Sequence, residues 1–170
     1  ILIWHIISSI KRMRFPVILF IFSFIGLANS QNLVKNAELG LEFISSEKLE
    51  LYDTEGSSVV GYESKGYAID ILKETSAKQI EPLTKDIRNA TKRLAGAMKF
   101  TQIEDGGENT FIPKSYFLIA HDKDLNGKSI PVVVVSLVDK DNTVAYKIVI
   151  YCYKGKRKEG IKIAKSFKFL

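Results

Sequence analysis

Hydrophobic and polar positions change period several times along the chain, and each change marks an element. The first stretch is largely apolar from Ile1 to Ile10, is broken by Lys11, Arg12 and Arg14, and is apolar again from Phe15 to Leu27. Residues 32–46 mix Leu33, Val34, Leu39, Leu41 and Phe43 with polar residues without a clean period, which predicts a lead-in segment with a short strand near Leu41 to Ile44. Leu49 to Tyr52 and Ser58 to Tyr62 flank Asp53-Thr54-Glu55-Gly56, and that turn chemistry predicts a hairpin. Tyr67, Ile69 and Ile71 then alternate with Ala68, Asp70 and Leu72, the period of a strand with one buried face.

From Pro82 the spacing lengthens to threes and fours through Leu83, Ile87, Ala90, Leu94 and Ala97 or Met98, with Lys85, Asp86, Arg88, Lys92 and Arg93 opposite. One amphipathic helix of about four turns is expected, with Pro82 near its first turn, where a missing N–H has no helical partner to lose. After Phe100 the pattern is strand-like. Phe100 to Ile103, Ser115 to His121, Ile130 to Val138 and Thr143 to Tyr153 are separated by a polar loop at 104–109 and turns at 122–128 and 139–142. Tight turns between the last three strands predict an antiparallel meander, with Val132 to Val135 as its buried centre. A Lys/Arg/Gly loop from Lys154 to Gly160 and a short helix with Ile161, Ala164 and Phe167 on one side follow. The expected fold class is α+β: an antiparallel sheet of about six strands packed by one long amphipathic helix and a short C-terminal helix.

The basic cluster, the apolar run to Leu27 and the small polar stretch Ala28-Asn29-Ser30 stand in the order of a secretory signal, so residues 1–30 are expected to direct export, to a periplasmic or secreted location. Cleavage after Ser30 leaves residues 31–170 as a single domain. Met13 is a candidate start, with residues 1–12 upstream of it. A retained anchor is the alternative, although the run falls short of the roughly 20 apolar residues of a spanning helix.

Removal of that segment changes the charge. Three of the 25 basic residues and none of the 19 acidic ones lie in it, so the formal net charge of +6 falls to about +3. That is short of the dense basic face a nucleic acid requires. The single cysteine excludes an internal disulfide, so stability must come from a packed core.

Candidate chemistry is sparse. Asp122-Lys123-Asp124-Leu125-Asn126-Gly127 opens like a calcium loop, but Ile130 and Val133 occupy the ninth and twelfth positions, where oxygen ligands belong. The same residues suit a β-turn. Cys152 could pair with His121 as a nucleophile and its base if their strands were neighbours, yet in Ile148 to Tyr153 it reads as a small apolar strand residue. Gly106-Gly107 lacks the lysine of a phosphate loop, and the acceptor triplet Asn89-Ala90-Thr91 falls in the expected helix. No catalytic, cofactor or metal residue is assigned. The candidate partner surface is Lys154, Lys156, Arg157, Lys158 and Lys162, set against an acidic early segment from Glu38 to Glu55. Such asymmetry suits an acidic protein partner.

The order of hairpin, strand, long helix, meander and terminal helix, with Ser166-Phe167-Lys168-Phe169 at the end, resembles the PsbP-like α/β/α sandwich family. The resemblance implies an exported, non-enzymatic accessory domain that binds a partner protein, and carries over no site residue. Two alternatives remain: a small-ligand carrier using the sheet face, and a hydrolase-type enzyme using His121 with Asp122 or Asp70.

Overall fold

The structure, a computed structural model, describes residues 31–53 and 59–170. The segment read as an export signal and turn residues 54–56 lie outside the described residues. Within them the fold is α+β with antiparallel sheets, as the pattern predicts.

Seven strands form the main sheet: β3 (Glu50–Asp53), β4 (Val59–Glu63), β5 (Tyr67–Glu74), β6 (Thr101–Gly107), β7 (Ser115–Lys123), β8 (Ser129–Val138) and β9 (Ala145–Cys152). Their order is β3-β4-β5-β9-β8-β7-β6, so a meander from each half of the chain meets where β5 pairs with β9, with Ile69 opposite Ile150. Val132 to Val135 on β8 are wholly buried, because helices or strands cover both faces there. A second sheet is built from β1 (Asn32–Asn36), β2 (Leu41–Ser45) and β10 (Lys168–Phe169) in the order β1-β2-β10.

The expected sheet of about six strands corresponds to the main sheet of seven, and the three-stranded sheet is additional to it. β1 escapes the pattern because its outward positions carry Leu33 as well as Lys35, and β10 is too short to have a period.

The single long helix is also corrected. Two helices stand there, α1 (Ala77–Lys85) and α2 (Ile87–Ala97), divided at Asp86, whose φ of −156° is incompatible with a continuous helix. The Asp86 carboxylate accepts the Asn89 N–H at 3.0 Å and so caps α2. Pro82 is therefore inside α1 rather than in its first turn. α2 rests on the sheet through Thr91 and Ala95, with Ile87 and Leu94 flanking, and the Thr91 hydroxyl bonds Ser136 at 2.8 Å beneath it. Of the acceptor triplet, Thr91 is buried against the sheet, while Asn89 is exposed and its side chain bonds Asp86.

The polar loop expected at 104–109 is strand as far as Gly107. A Cβ at Gly106 would lie 2.3 Å from the Phe117 ring, so glycine is what lets this edge strand close over β7. The final helix, α3 (Arg157–Ser166), begins earlier than expected, which moves Arg157 and Lys158 from loop into its first turn. Gly160, Ile163 and Ala164 form its buried row and Phe167 enters the core at its end, while Ile161 is only half-buried. α3 lies on the face opposite α1 and α2, between the two sheets, and Phe43 of β2 meets Phe167 with ring centroids 4.9 Å apart.

Candidate partner-binding surface

The five basic residues singled out from the sequence do not act alike. Lys156 bonds Glu47 at 3.2 Å and Arg157 bonds Glu104 at 2.5 Å, so both are spent on holding the 153–157 segment to its neighbours. Burial pushes the Glu47 carboxyl up, but bonds from the Ser64 hydroxyl, Lys156 and the Gly66 N–H outweigh it and hold the group below its ordinary value. Lys154 sits in a tight 3-10 turn at φ 53° and is exposed. Lys158 and Lys162 stand on the outer face of α3, joined there by Lys165 at helical spacing. No carboxylate among the described residues lies within ion-pair distance of these three.

The lysine row runs towards an apolar cleft of about 680 Å³. Ile112, Val138, Val144, Tyr146 and Phe169 line it, with Lys114, Asp139, Lys140 and Asp141 among the polar residues at its wall. Tyr146 is fixed by its hydroxyl, which donates to the Leu39 carbonyl, and by ring contact with Phe169 at 5.8 Å. Phe111 and Leu170 also line the cleft and remain 54% and 59% exposed.

Phe111 stays exposed because its loop is rigidly mounted. Buried Asn109 accepts the N–H groups of Phe111 and Ile112 on its side-chain oxygen, at 2.7 and 3.1 Å, and donates to the Ala164 carbonyl of α3 at 2.9 Å. Its own N–H donates to the Ser115 hydroxyl. Every strong side-chain bond of Asn109 thus faces inward, and Phe111 is what the loop presents. The Lys168 ammonium lies 4.2 Å from the Phe111 ring centroid, within cation–π range, and so joins the lysine row to the cleft.

The other candidates dissolve on inspection of register. His121 pairs with Pro131, and β8 separates β7 from β9, so His121 and Cys152 stand two strand spacings apart, about 10 Å. Asp122, the next residue on β7, points to the opposite face, as does Asp70, which lies three strands from His121 on β5 and accepts the Tyr52 hydroxyl. The His121 Nδ1 is buried without a hydrogen-bond partner among the described residues, so no carboxylate orients the ring as a general base requires. Burial, with Glu159 a smaller cause, pushes the Cys152 thiol up to about 12. Asp124 spends its carboxylate on the N–H groups of Asn126 and Lys128, which makes the calcium-like string a hairpin turn. Among the described residues no His, Cys, Asp or Glu group of three could hold a metal, and no helix is long and apolar enough to cross a membrane.

Sequence reasoning missed Phe111 and the cleft. The clue was Asn109-Thr110-Phe111-Ile112-Pro113, two large apolar residues in a stretch otherwise read as loop.

No protein-family model matches the chain, and no curated protein does either. Among solved structures, a point mutant of protein Mog1 superposes with a TM-score of 0.48 at 11% identity, over 82% of this chain and 96% of that chain.

Proposed function

We propose that this chain is an exported, non-enzymatic accessory domain that works by contact with another protein, and that its contact surface is the cleft at Phe111 together with the outer face of α3. The observation that carries the reading is Phe111 itself: a large aromatic ring held in solvent by a loop whose polar groups are satisfied internally. Exposed aromatic residues on rigid mounts, beside an apolar depression, are the kind of group that anchors protein interfaces. The lysine row beside it favours a partner of opposite charge. Export rests on the order of basic, apolar and small polar residues up to Ser30. The PsbP-like resemblance belongs to the same proposal, since Ser166, Phe167, Lys168 and Phe169 are the residues that connect α3 to the cleft.

A second reading, a small-ligand carrier, is favoured by the cleft's volume, which falls within the roughly 300–1,000 Å³ of ordinary ligand pockets. Retention experiments on the envelope fraction separate the two. A protein retained by the native chain and by Lys156→Gln, but lost with Phe111→Ser, supports the interface. Equal retention by Phe111→Ser overturns it, and a small molecule extracted with the purified protein favours the carrier.

A further inference from the structure

We infer that the partner presents to this surface an extended acidic segment ending in a bulky apolar residue, with the acids lying along α3 and the apolar side chain seated in the cleft beside Phe111. This rests on the interface reading above and specifies what fills it.

Shape sets the first constraint on the partner. Lys158, Lys162 and Lys165 lie along one helix face, and at 1.5 Å per residue their row is about 10 Å long. An extended chain advances about 3.3 Å per residue, so three or four partner residues span the row. At its end the convex helix gives way to a concave cleft, and Lys168 stands at the junction over the Phe111 ring. A flat protein surface cannot follow a convex ridge and fill an adjoining hollow at once, whereas a single strand of chain can. Width argues the same way: the lysines form one row, bordered by Glu159 in the first turn, and not a broad basic face.

Charge then sets the chemistry. The three row lysines lack ionic partners among the described residues, while Arg157 on the same helix and Lys156 just before it are already paired, so the cations of α3 without an ion pair are those of the row. On the cleft wall the Asp139 carboxylate accepts the N–H groups of Thr143 and Val144 at 2.8 and 3.1 Å, and Lys114 bonds the Asn142 side chain at 2.6 Å. Those polar groups are committed to the local turn, which leaves the cleft interior to apolar contact. A cationic row leading into an apolar seat selects acidic residues followed by a large hydrophobic one. Desolvation of the apolar residue supplies affinity, and the acids supply orientation and a salt-dependent association rate.

The test is fluorescence anisotropy with a labelled peptide of four glutamates, a two-residue glycine spacer and a phenylalanine, titrated with the intact protein. Binding is expected to weaken at least about tenfold in each of three arms: when the peptide's phenylalanine becomes serine, when its glutamates become glutamines, and with Lys158→Glu, Lys162→Glu and Lys165→Glu combined in the protein. The two peptide arms need no protein variant, so a folding defect in the triple variant leaves the result intact. Equal binding of all three peptides overturns the inference. So does preference for phosphatidylglycerol vesicles over the peptide, which assigns the surface to a membrane. If the peptide fails but Phe111→Ser still abolishes retention of a native partner, the acidic-segment inference falls while the interface stands.

Discussion

Gly160 in α3 lies so close over Cys152 in β9 that a Cβ added to it would sit 2.3 Å from the Cys152 Sγ. The contact explains both residues. Glycine in mid-helix is costly, and its use here lets α3 descend onto the sheet; cysteine is the small apolar residue beneath it.

Gly160→Ala is expected to destabilise the protein by about 1–3 kcal/mol through overpacking, despite the better helix propensity of alanine. Val133 Cγ2, at 3.4 Å from the same point, closes the other side. Cys152→Ala removes the sulfur, so the cost of Gly160→Ala in that background should fall by more than half. Denaturant melts of the four proteins measure this coupling, and additive effects contradict it. The native thiol should also resist alkylation at pH 8 and react once the chain is unfolded.

Asn109→Ala should cost about 1–3 kcal/mol, because it leaves the N–H groups of Phe111 and Ile112 and the Ala164 carbonyl without their partner. Partner affinity should drop beyond what partial unfolding explains, since the Phe111 mount is lost. Amide hydrogen exchange should rise first at residues 110–114. Unchanged exchange there would refute the mount.

Stability should fall in acid with a definite sign. Asp105 is held below the usual carboxylate range, first by the Tyr116 hydroxyl and then by Lys92 and Arg88; Glu47 and Asp139 are also depressed, with hydrogen bonds outweighing the upward push of burial. Their folded values lie below their unfolded ones, so the unfolded chain takes up protons first as pH drops. The stabilisation is present above about pH 5 and is lost progressively below about pH 4. Melting temperatures across pH 7 to 3 test this, and Asp139→Asn should flatten the slope.

If the first thirty residues direct export, the protein recovered from the envelope should begin at Gln31. N-terminal sequencing reads it directly, and a chain retaining Phe15 to Leu27 would mean an anchor instead.

Much of the sheet was legible because its periods are strong: Tyr67, Ile69 and Ile71 alternate as buried strand residues do, and four consecutive valines mark a strand covered on both faces. The break at Asp86 was hidden because a capping aspartate also suits the polar face of a continuous helix. In the sequence Gly106 and Gly160 read as loop punctuation, whereas each is small because a side chain, Phe117 or Cys152, occupies the space above it. The proposed contact surface was the least legible part. Clustered charge drew attention to Lys156 and Arg157, but only contacts between distant segments reveal that these are paired, and only the fold brings Phe111 beside Lys168.

The interface at Phe111 is tested most directly by placing a photo-crosslinking aromatic residue there and, as a control, at exposed Leu51 on the edge strand β3. Irradiation of intact cells should give one discrete adduct from position 111, lost when Lys158, Lys162 and Lys165 are reversed in charge, and none from position 51. No adduct at 111, or the same adduct at both positions, would contradict the account.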